Sequence, residues 1–203
     1  MRVLVACERS GVIRDAFSRR GHEAASCDLF PSATPGWHFQ GDIFSVLLRV
    51  PEWDLIISHP DCRYLSSSGL HHNYGNPERQ AKTDAALDFA LRLWAHPVKR
   101  KAMENPVGRL TRVMRERGCL VQTIQPNQFG HDASKATCLV LEGLPELVPT
   151  KHIAPRMVDG KPRWANQTDS GQNRLGPSPE RAALRAETYR GIADAMAEQW
   201  GTA

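Results

Sequence analysis

Apolar runs rich in β-branched residues alternate with helical patterns along this chain, and that alternation restricts its fold more than any other feature. Buried strands are predicted at Arg2–Cys7, Glu23–Cys27, Asp54–Ser58, Lys101–Glu104 and Val121–Gln125. Strands that alternate with helices form a mostly parallel sheet, and the helices cover its faces. The sequence therefore predicts an α/β fold.

Three segments carry the helical pattern. Gly11–Arg20 is predicted to form a short helix, and Pro77–Ala95 a longer helix with one core-facing side and a proline in its first turn. Pro179–Trp200 is predicted to be helical after Ser178, a residue type common at helix caps, with a weak point at Gly191. These helices supply the layers that the predicted sheet requires.

Two stretches rich in proline, glycine and polar residues are predicted to be loops, at Phe30–Gln40 and Val148–Gly176. The second is the longest irregular part of the chain, and loops of more than about 15 residues are usually functional or mobile. A chain of 203 residues can bury one core, whereas two full domains are not expected. The prediction is a single domain over residues 1–203.

The composition, 41% hydrophobic and 24% charged, is typical of a soluble globular protein. No apolar run approaches the ~20 residues of a bilayer span. Glu8 and Arg9 interrupt the amino-terminal apolar stretch before it reaches the length of a signal-peptide core. We therefore expect no membrane contact and a cytoplasmic location.

Metal and disulfide chemistry are not expected. The five cysteines are widely spread and include no C-x-x-C pair, so neither a disulfide framework nor a zinc ribbon is predicted. His59, Cys62, His71 and His72 match no usual metal-ligand spacing. The formal net charge of +4 permits a polyanionic partner but does not demonstrate one.

Polar residues follow the predicted strands. Cys7–Gly11 follow the first strand, Asp28 the second and His59–Gly69 the third, while Glu104 ends the fourth. Ligands of open α/β sheets bind beyond the carboxyl ends of the strands, so a thiol and a carboxyl there are candidates for a nucleophile and an acid. Taken singly, Cys62 is also explained as a small buried residue, Asp28 as a turn residue and Glu104 as a cap.

The order of these motifs resembles that of the cytosine-5 DNA methyltransferases. Pro60-Asp61-Cys62-Arg63, followed by Leu65-Ser66 and Ser68-Gly69, is similar to the family's Pro-Pro-Cys-Gln loop with its Phe-Ser and Ser-Gly. Glu104-Asn105-Pro106 is similar to its Glu-Asn-Val triplet. The resemblance implies a Rossmann-like methyltransferase fold, with a mostly parallel sheet and helices on both faces.

The resemblance also implies S-adenosylmethionine, or a modified form of it, as cofactor. The residues that correspond to the family's cofactor site follow the first two strands, lie in the Gly41-Asp42-Ile43 element and the cysteine loop, or precede the last helix. They are Cys7, Glu8, Arg9, Ser10, Gly11, Asp28, Asp42, Pro60 and Ser178.

The implied chemistry begins with attack of Cys62 on carbon 6 of cytosine, while Glu104 donates to ring nitrogen 3. Lys135 is the nearest cation to the family's Gln-x-Arg-x-Arg run, whose second arginine corresponds to Thr137. We expect a buried site that raises the pKa of Glu104, so that its carboxyl carries a proton. His59 and Arg63 are available as positive partners that help Cys62 to ionise. The residues implied to contact the substrate are Arg63, Ser66, Ser68, Asn105 and Thr137.

The chain departs from the family at two important places. Asp61 replaces a proline and puts a carboxylate beside Cys62, with Arg63 as its available partner. Only the loop Val148–Gly176 stands where the family has a target-recognition domain. This compact form, suited to a phage or mobile element, implies weak or very short recognition of DNA sequence, a non-duplex substrate, or a protein partner that supplies recognition.

The loop Val148–Gly176 has a basic and aromatic character suited to phosphate contact and base stacking, although a solvated loop with one packing tryptophan explains it equally well. The residues concerned are Lys151, His152, Arg156, Lys161, Arg163 and Trp164. The expected setting is the cytoplasm of a bacterial or phage-infected cell.

Two other functions stay open. One is modification of a different pyrimidine substrate, a free nucleotide or RNA, or transfer of a group other than methyl; Arg9, near the methionine end of the implied cofactor site, keeps this open. The other is a catalytically silent module that binds nucleic acid. The sequence predicts neither the target context nor the oligomeric state.

Overall fold

Nine strands and six α-helices are present in the residues that the structure, a computed structural model, describes, namely 1–50, 52–176, 178 and 187–202. The strands are β1 (Arg2–Ala6), β2 (Glu23–Asp28), β3 (His38–Gln40), β4 (Leu55–Ser58), β5 (Lys101–Pro106), β6 (Leu120–Ile124), β7 (Thr137–Glu142), β8 (Arg156–Val158) and β9 (Lys161–Arg163). The helices are α1 (Val12–Ser18), α2 (Ile43–Arg49), α3 (Ser67–Leu70), α4 (Pro77–Trp94), α5 (Arg109–Glu116) and α6 (Arg190–Trp200). Two 3₁₀ turns lie at His71–Asn73 and Pro126–Gln128.

The first seven strands form one sheet in the order β3-β2-β1-β4-β5-β7-β6. Pairing is parallel from β3 to β5, and β7 runs antiparallel to both β5 and β6. The predicted α/β fold is confirmed, as are the five predicted strands, which correspond to β1, β2, β4, β5 and β6. The architecture is Rossmann-like, with one antiparallel strand inserted next to its edge.

Residues of β1 alternate between the two faces of the sheet. Val3 and Val5 belong to an apolar cluster with α1 and α6, whereas Leu4 and Ala6 belong to a second cluster with α2, α4 and α5. Because side chains along a strand point to opposite faces, this central strand is apolar throughout. The sheet is therefore covered by helices on both sides.

Several elements differ from the sequence prediction. β3 lies inside the predicted loop Phe30–Gln40 and pairs with β2 through Ser26 and His38. β7, α2 and α5 were not predicted; β7 reaches its place between β5 and β6 only through long-range pairing. The predicted loop Val148–Gly176 contains the β8–β9 hairpin, whose turn is Asp159-Gly160, both residues with positive φ.

The buried guanidinium of Arg14 holds the segment between β2 and β3. Its Nη1 donates to the hydroxyls of Ser26 and Ser32, at 3.1 and 3.0 Å. Its Nη2 donates to Thr34 Oγ1 at 2.7 Å and to the carbonyl of Pro35 at 3.0 Å. The segment is therefore folded around a charge that has no contact with solvent.

Helix α6 begins at Arg190, whereas the sequence predicted a helix from Pro179 to Trp200. Residues 179–186 lie outside the described residues, and the capping role predicted for Ser178 falls there as well. Gly191, predicted as a weak point, is instead the place where α6 meets the chain after β6. Its N–H donates to His131 Nε2 at 2.9 Å, and a Cβ would lie 1.9 Å from the carbonyl oxygen of Phe129.

None of the helices in the described ranges combines the length and the apolar character needed to cross a bilayer.

We predict that Gly191→Ala destabilises the protein, although alanine is the better helix former. Helix propensity favours alanine by at most about 1 kcal/mol. The new methyl group would overlap the backbone carbonyl of Phe129, which cannot move as a flexible side chain does. We expect a net loss of about 1–3 kcal/mol in the free energy of unfolding, measured by urea denaturation. Gly176→Ala is the control, since no atom lies near its added Cβ, and a gain in stability for Gly191→Ala would refute this packing.

Candidate active site

The carboxyl ends of β1, β4 and β5 bring the candidate residues together. Ala6 pairs with Ser58, and Ser58 pairs with Met103, so the residues that follow these three lie side by side. Those residues are Cys7, His59 and Glu104. The parallel register therefore gathers a thiol, an imidazole and a carboxyl at one edge of the sheet, where ligands of such sheets bind.

Glu104 forms its side-chain contact with His59. Glu104 Oε2 lies 3.2 Å from His59 Nδ1, and the two side chains are 21% and 12% exposed. Burial alone would raise the pKa of Glu104, but the hydrogen bond to His59, the charge of His59 and that of Lys135 outweigh it and lower the pKa. The expectation that the site raises the pKa of Glu104 is therefore wrong, because His59 was not foreseen as its partner.

Cys62 lies in an exposed turn after β4, where its carbonyl accepts hydrogen bonds from the N–H groups of Leu65 and Ser66. Although the residue as a whole is exposed, desolvation of the thiol is the largest cause of its raised pKa, followed by the charges of Glu104 and Asp61. The charge of Lys135 acts in the opposite direction. The thiol is therefore mostly protonated in the free protein.

Lys135 acts electrostatically on both Cys62 and Glu104, since its charge lowers the pKa of each. Its backbone N–H donates to Gln125 Oε1 at 2.9 Å, which fixes the loop before β7. Together with His59, Glu104 and Thr137, it lines a narrow cavity, which is also lined by Tyr189, the residue before α6. The structure thus brings together the three residues predicted to be catalytic, Cys62, Glu104 and Lys135.

Neither positive partner predicted for the cysteine loop takes that role. His59 contacts Glu104, and no hydrogen bond or ion pair joins it to Cys62 among the described residues. Asp61 Oδ1 accepts from the backbone N–H of Arg63 at 2.9 Å, and the described part of the chain contains no ion pair between their side chains. The charge of Asp61 therefore acts on the thiol without an ion-pair partner among the described residues.

Two residues predicted to contact the substrate are buried. Asn105 is 1% exposed and donates from Nδ2 to the carbonyl of Pro60 at 3.0 Å, so it holds the cysteine loop against β5. Thr137 is 6% exposed and donates to the carbonyl of Lys135 at 3.3 Å. Both therefore position the loops that carry Cys62 and Lys135.

The other residues predicted to contact the substrate are accessible. Arg63 and Ser68 are exposed and Ser66 is half-buried, and the two serine hydroxyls lie 3.4 Å apart. Gly108, which the sequence prediction missed, lets this loop pack closely, because a Cβ there would lie 2.0 Å from the carbonyl oxygen of Leu65.

The loop after β1 departs from a simple glycine-rich turn. Cys7 has a φ of 59° and Gly11 a φ of 74°. The buried Glu8 carboxylate accepts from the N–H of Ile13 at 2.7 Å and of Arg14 at 3.3 Å. Burial is the largest cause of the raised pKa of Glu8, and the charge of His59 partly opposes it. Glu8 thus takes N–H groups of the first turn of α1.

The edge of the sheet that is predicted to hold the cofactor, around Cys7, Asp28 and Asp42, is acidic and partly apolar. Burial, and then the charges of Asp28, Cys27, Asp42 and Asp61, raise the pKa of Cys7 to about 12. Asp28 Oδ1 accepts from the N–H of Phe30 at 2.9 Å. Asp42, predicted to bind the cofactor, caps α2 by accepting from the N–H of Ser45 at 3.0 Å.

This donor set fits a cationic nucleoside such as S-adenosylmethionine. The second carboxylate oxygen of Asp28 suits a ribose hydroxyl, and Leu29 and Phe30 are exposed apolar side chains beside it. The surrounding carboxylates suit a sulfonium charge. The guanidinium of Arg9 lies 5.7 Å from the ring centroid of Phe30 at the same edge. Ser178 is exposed, and its described neighbourhood does not test the predicted role.

The segment 148–176 is tied to the loop that carries Lys135. Asn166 accepts from the N–H of Ser134 at 3.0 Å and donates to its carbonyl at 2.9 Å, and Asp132 accepts from the N–H of Ala165 at 2.9 Å. Lys151, His152 and Lys161 are exposed.

The other predicted basic residues of the segment have partners within it. Arg156 pairs with Asp169 at 2.6 Å, and Arg163 donates to the carbonyl of Asp169 at 2.9 Å. The basic surface is therefore smaller than the sequence suggested.

No group of three or more His, Cys, Asp or Glu side chains within the described ranges is arranged to hold a metal ion.

No family model and no curated protein matches the sequence. Among solved structures, a protein described as a DNA modification methyltransferase encoded within a prophage (E. coli) is 14% identical with a TM-score of 0.48, covering 79% of this chain and 53% of the other. The Entamoeba histolytica methyltransferase EhMeth is 14% identical with a TM-score of 0.49, covering 76% and 58%. The S. pombe Dnmt2 methyltransferase is 14% identical with a TM-score of 0.48, covering 72% and 51%. The chain thus spans about half the length of these structures, and at this identity the likeness concerns the fold alone.

We predict opposite changes in Cys62 reactivity for two charge substitutions. Asp61 raises and Lys135 lowers the pKa of the thiol, and the thiolate is the form that reacts with alkylating agents. At neutral pH, the rate of iodoacetamide alkylation should rise roughly two- to fivefold in Asp61→Asn and fall by a similar factor in Lys135→Met.

Peptide mass mapping assigns the label to Cys62, and Cys62→Ser serves as the control. Equal alkylation rates in the wild type and in both charge variants would contradict this electrostatic environment.

Proposed function

We propose that this protein transfers a methyl group from S-adenosylmethionine to carbon 5 of cytosine in DNA, through a covalent adduct with Cys62. The observation that carries the proposal is the convergence of the Cys62 thiol, the Glu104 carboxyl and the Lys135 ammonium at one sheet edge, within electrostatic reach of one another. A nucleophile, a proton-bearing group and a cation are what addition to an electron-poor pyrimidine requires.

Carbon 5 of cytosine is a poor nucleophile until a group has added at carbon 6. Cys62 Sγ would form that bond, and the electrons of the carbon 5–carbon 6 double bond would shift toward nitrogen 3, which takes a proton from the Glu104 carboxyl. Carbon 5 then behaves as an enamine carbon. After carbon 5 has gained the new group and lost its proton to water, Sγ leaves as a thiolate, nitrogen 3 returns its proton to Glu104, and the carbon 5–carbon 6 double bond is restored.

The charge pattern suits a thiol that ionises only when the substrate is bound. Burial, and then the charges of Glu104 and Asp61, keep the pKa of Cys62 raised, and the charge of Lys135 opposes them. When Glu104 has given its proton to the base, it is left as a carboxylate, and the charge of Lys135 stabilises that carboxylate. Cys62 is exposed, so its proton can leave to solvent.

When bound, S-adenosylmethionine supplies an electrophilic methyl group. Asp28 would hold the ribose hydroxyls, Leu29 and Phe30 would pack against the purine, and Asp42 and Asp61 would balance the sulfonium charge near Cys7. The acidic, partly apolar edge supports this assignment. Glu8 and Ser10 would line the cofactor from the loop after β1.

DNA is the proposed substrate, with the β8–β9 hairpin in the place of a target-recognition domain. Lys151, His152 and Lys161 are exposed and suit phosphate contact, and hydrogen bonds join their segment to the Lys135 loop. A short hairpin reads little sequence, so recognition is weak or a protein partner supplies it. A base within a duplex must be flipped out, at roughly a few kcal/mol. The proposed setting is a bacterial or phage-infected cytoplasm.

A second candidate is transfer of a different group, or modification of RNA or a free pyrimidine nucleotide. It is favoured by Glu8, whose carboxylate takes N–H groups of α1 that would otherwise suit an anionic part of the ligand. Arg9, which lies by Phe30 at this edge, offers an alternative cation for such a part. A third candidate is a catalytically silent module that binds nucleic acid. Trapping of a covalent adduct would exclude this candidate.

We predict that the wild type, supplied with S-adenosylmethionine, forms a covalent complex with DNA that contains 5-fluorocytosine. Fluorine at carbon 5 cannot leave as a proton does, so the adduct persists and is seen by denaturing electrophoresis. Cys62→Ala should form no complex, whereas Cys119→Ala, the control for a half-buried thiol outside the site, should form it normally.

Glu104→Gln should lower turnover at least ~100-fold while leaving cofactor affinity nearly unchanged. Mass spectrometry of nucleosides from treated DNA identifies the base and the added group together. Equal formation of the complex by the wild type and Cys62→Ala would contradict the proposal. Absence of modified cytosine from the treated DNA would favour the second candidate.

A further inference from the structure

His59 lies between two carboxyl groups that belong to different parts of the site. Its Nδ1 is 3.2 Å from Glu104 Oε2, and its charge also lowers the pKa of the buried Glu8. It follows β4 directly, so the central strand of the parallel sheet fixes its backbone. The imidazole therefore joins the β1 loop, which borders the cofactor edge, to β5, which carries the acid.

The contact bears on the proton that the proposed reaction needs. An ionised carboxylate has no proton to give to ring nitrogen 3, and Glu104 is ionised over a wider pH range than a free glutamate because its pKa is lowered. The only proton donor in hydrogen-bond contact with that carboxylate among the described residues is His59 Nδ1. Any proton that Glu104 delivers must therefore be held by the pair.

Stability alone does not account for this histidine. His59 Nε2 is buried without a hydrogen-bond partner in the described part of the chain. An unsatisfied buried polar atom costs about 1–3 kcal/mol. The imidazole nevertheless lines the same cavity as Glu104, Lys135 and Thr137. A polar ring is thus held at the site at a cost to folding.

We propose that His59 is the positioning residue that holds the catalytic proton, so that the His59–Glu104 pair, and not Glu104 alone, protonates ring nitrogen 3. This rests on the proposed function. As the Sγ–carbon 6 bond forms, nitrogen 3 takes the single proton of the pair through Glu104, leaving His59 neutral and Glu104 ionised. When Sγ leaves, the proton returns to the pair. The charged groups facing His59 are Glu104, Glu8 and, beyond Glu104, Lys135.

The test follows exchange of the carbon 5 hydrogen of cytosine in DNA for deuterium, without cofactor. Addition of Cys62 makes carbon 5 able to take a deuteron from solvent, and elimination then releases the original proton. The mass gain of deoxycytidine measures both steps without any group transfer. Single-stranded and duplex oligonucleotides serve as substrates.

We expect His59→Gln to slow exchange at least ~100-fold. In the pH–rate profile of His59→Gln, the alkaline limb should move to lower pH, because an imidazole keeps its proton to higher pH than a carboxyl does. In the Glu104→Gln background, His59→Gln should cost almost nothing more, since both residues act on one proton. His59→Asn is the second variant should His59→Gln not fold, with folding checked by urea unfolding.

An unchanged pH limb, or losses that multiply in the double variant, would show a structural role and overturn the proposal. A readout that needs no His59 variant is the ¹⁵N spectrum of the His59 ring in Glu104→Gln: its titration should change, and an unaltered titration also overturns the proposal. Absence of both exchange and trapping in the wild type would instead refute the proposed function itself.

Discussion

The parallel pairing of β1, β4 and β5 is the constraint on which the candidate site depends. In that register, Ala6, Ser58 and Met103 lie in one row, and the next residue of each strand faces the same edge. A one-residue shift of β4 would turn His59 to the other side of the sheet and separate it from Glu104. Leu55 and Ile57 pack in one apolar cluster and Ile56 in the other, so such a shift would disrupt the packing on both faces.

Carboxylates outnumber cations at this edge, so the few positive groups decide its chemistry. Asp28, Asp42 and Asp61 act together on the neighbourhood of Cys7. His59 and Lys135 are the groups that oppose the effect of burial on Glu104. Added to the effect of burial, these charges separate a thiol with a raised pKa from an acid with a lowered pKa.

Five strands of the main sheet, the α/β class and the convergence of Cys62 with Glu104 were predictable, because they follow from apolar runs and from residues at strand ends. The partner of Glu104 was not predictable. His59 was expected to help Cys62 to ionise, and only the lateral order of β4 and β5 shows that it contacts Glu104. Gly191 illustrates the same limit, since its close approach to Phe129 joins segments far apart in sequence. β7 was not predicted either, because its place in the sheet depends on pairing with strands that are distant in sequence.

Arg14 has a consequence for how the cofactor edge meets a ligand. Each N–H of its guanidinium is taken by Asp15, Ser26 or residues 32–35, and the side chain has no access to water. If residues 32–35 moved away, the buried guanidinium would lose most of its hydrogen-bond acceptors, which is strongly unfavourable. The proposed cofactor edge is consequently preorganised, so a nucleoside bound there would lose no affinity to the entropy of ordering this segment.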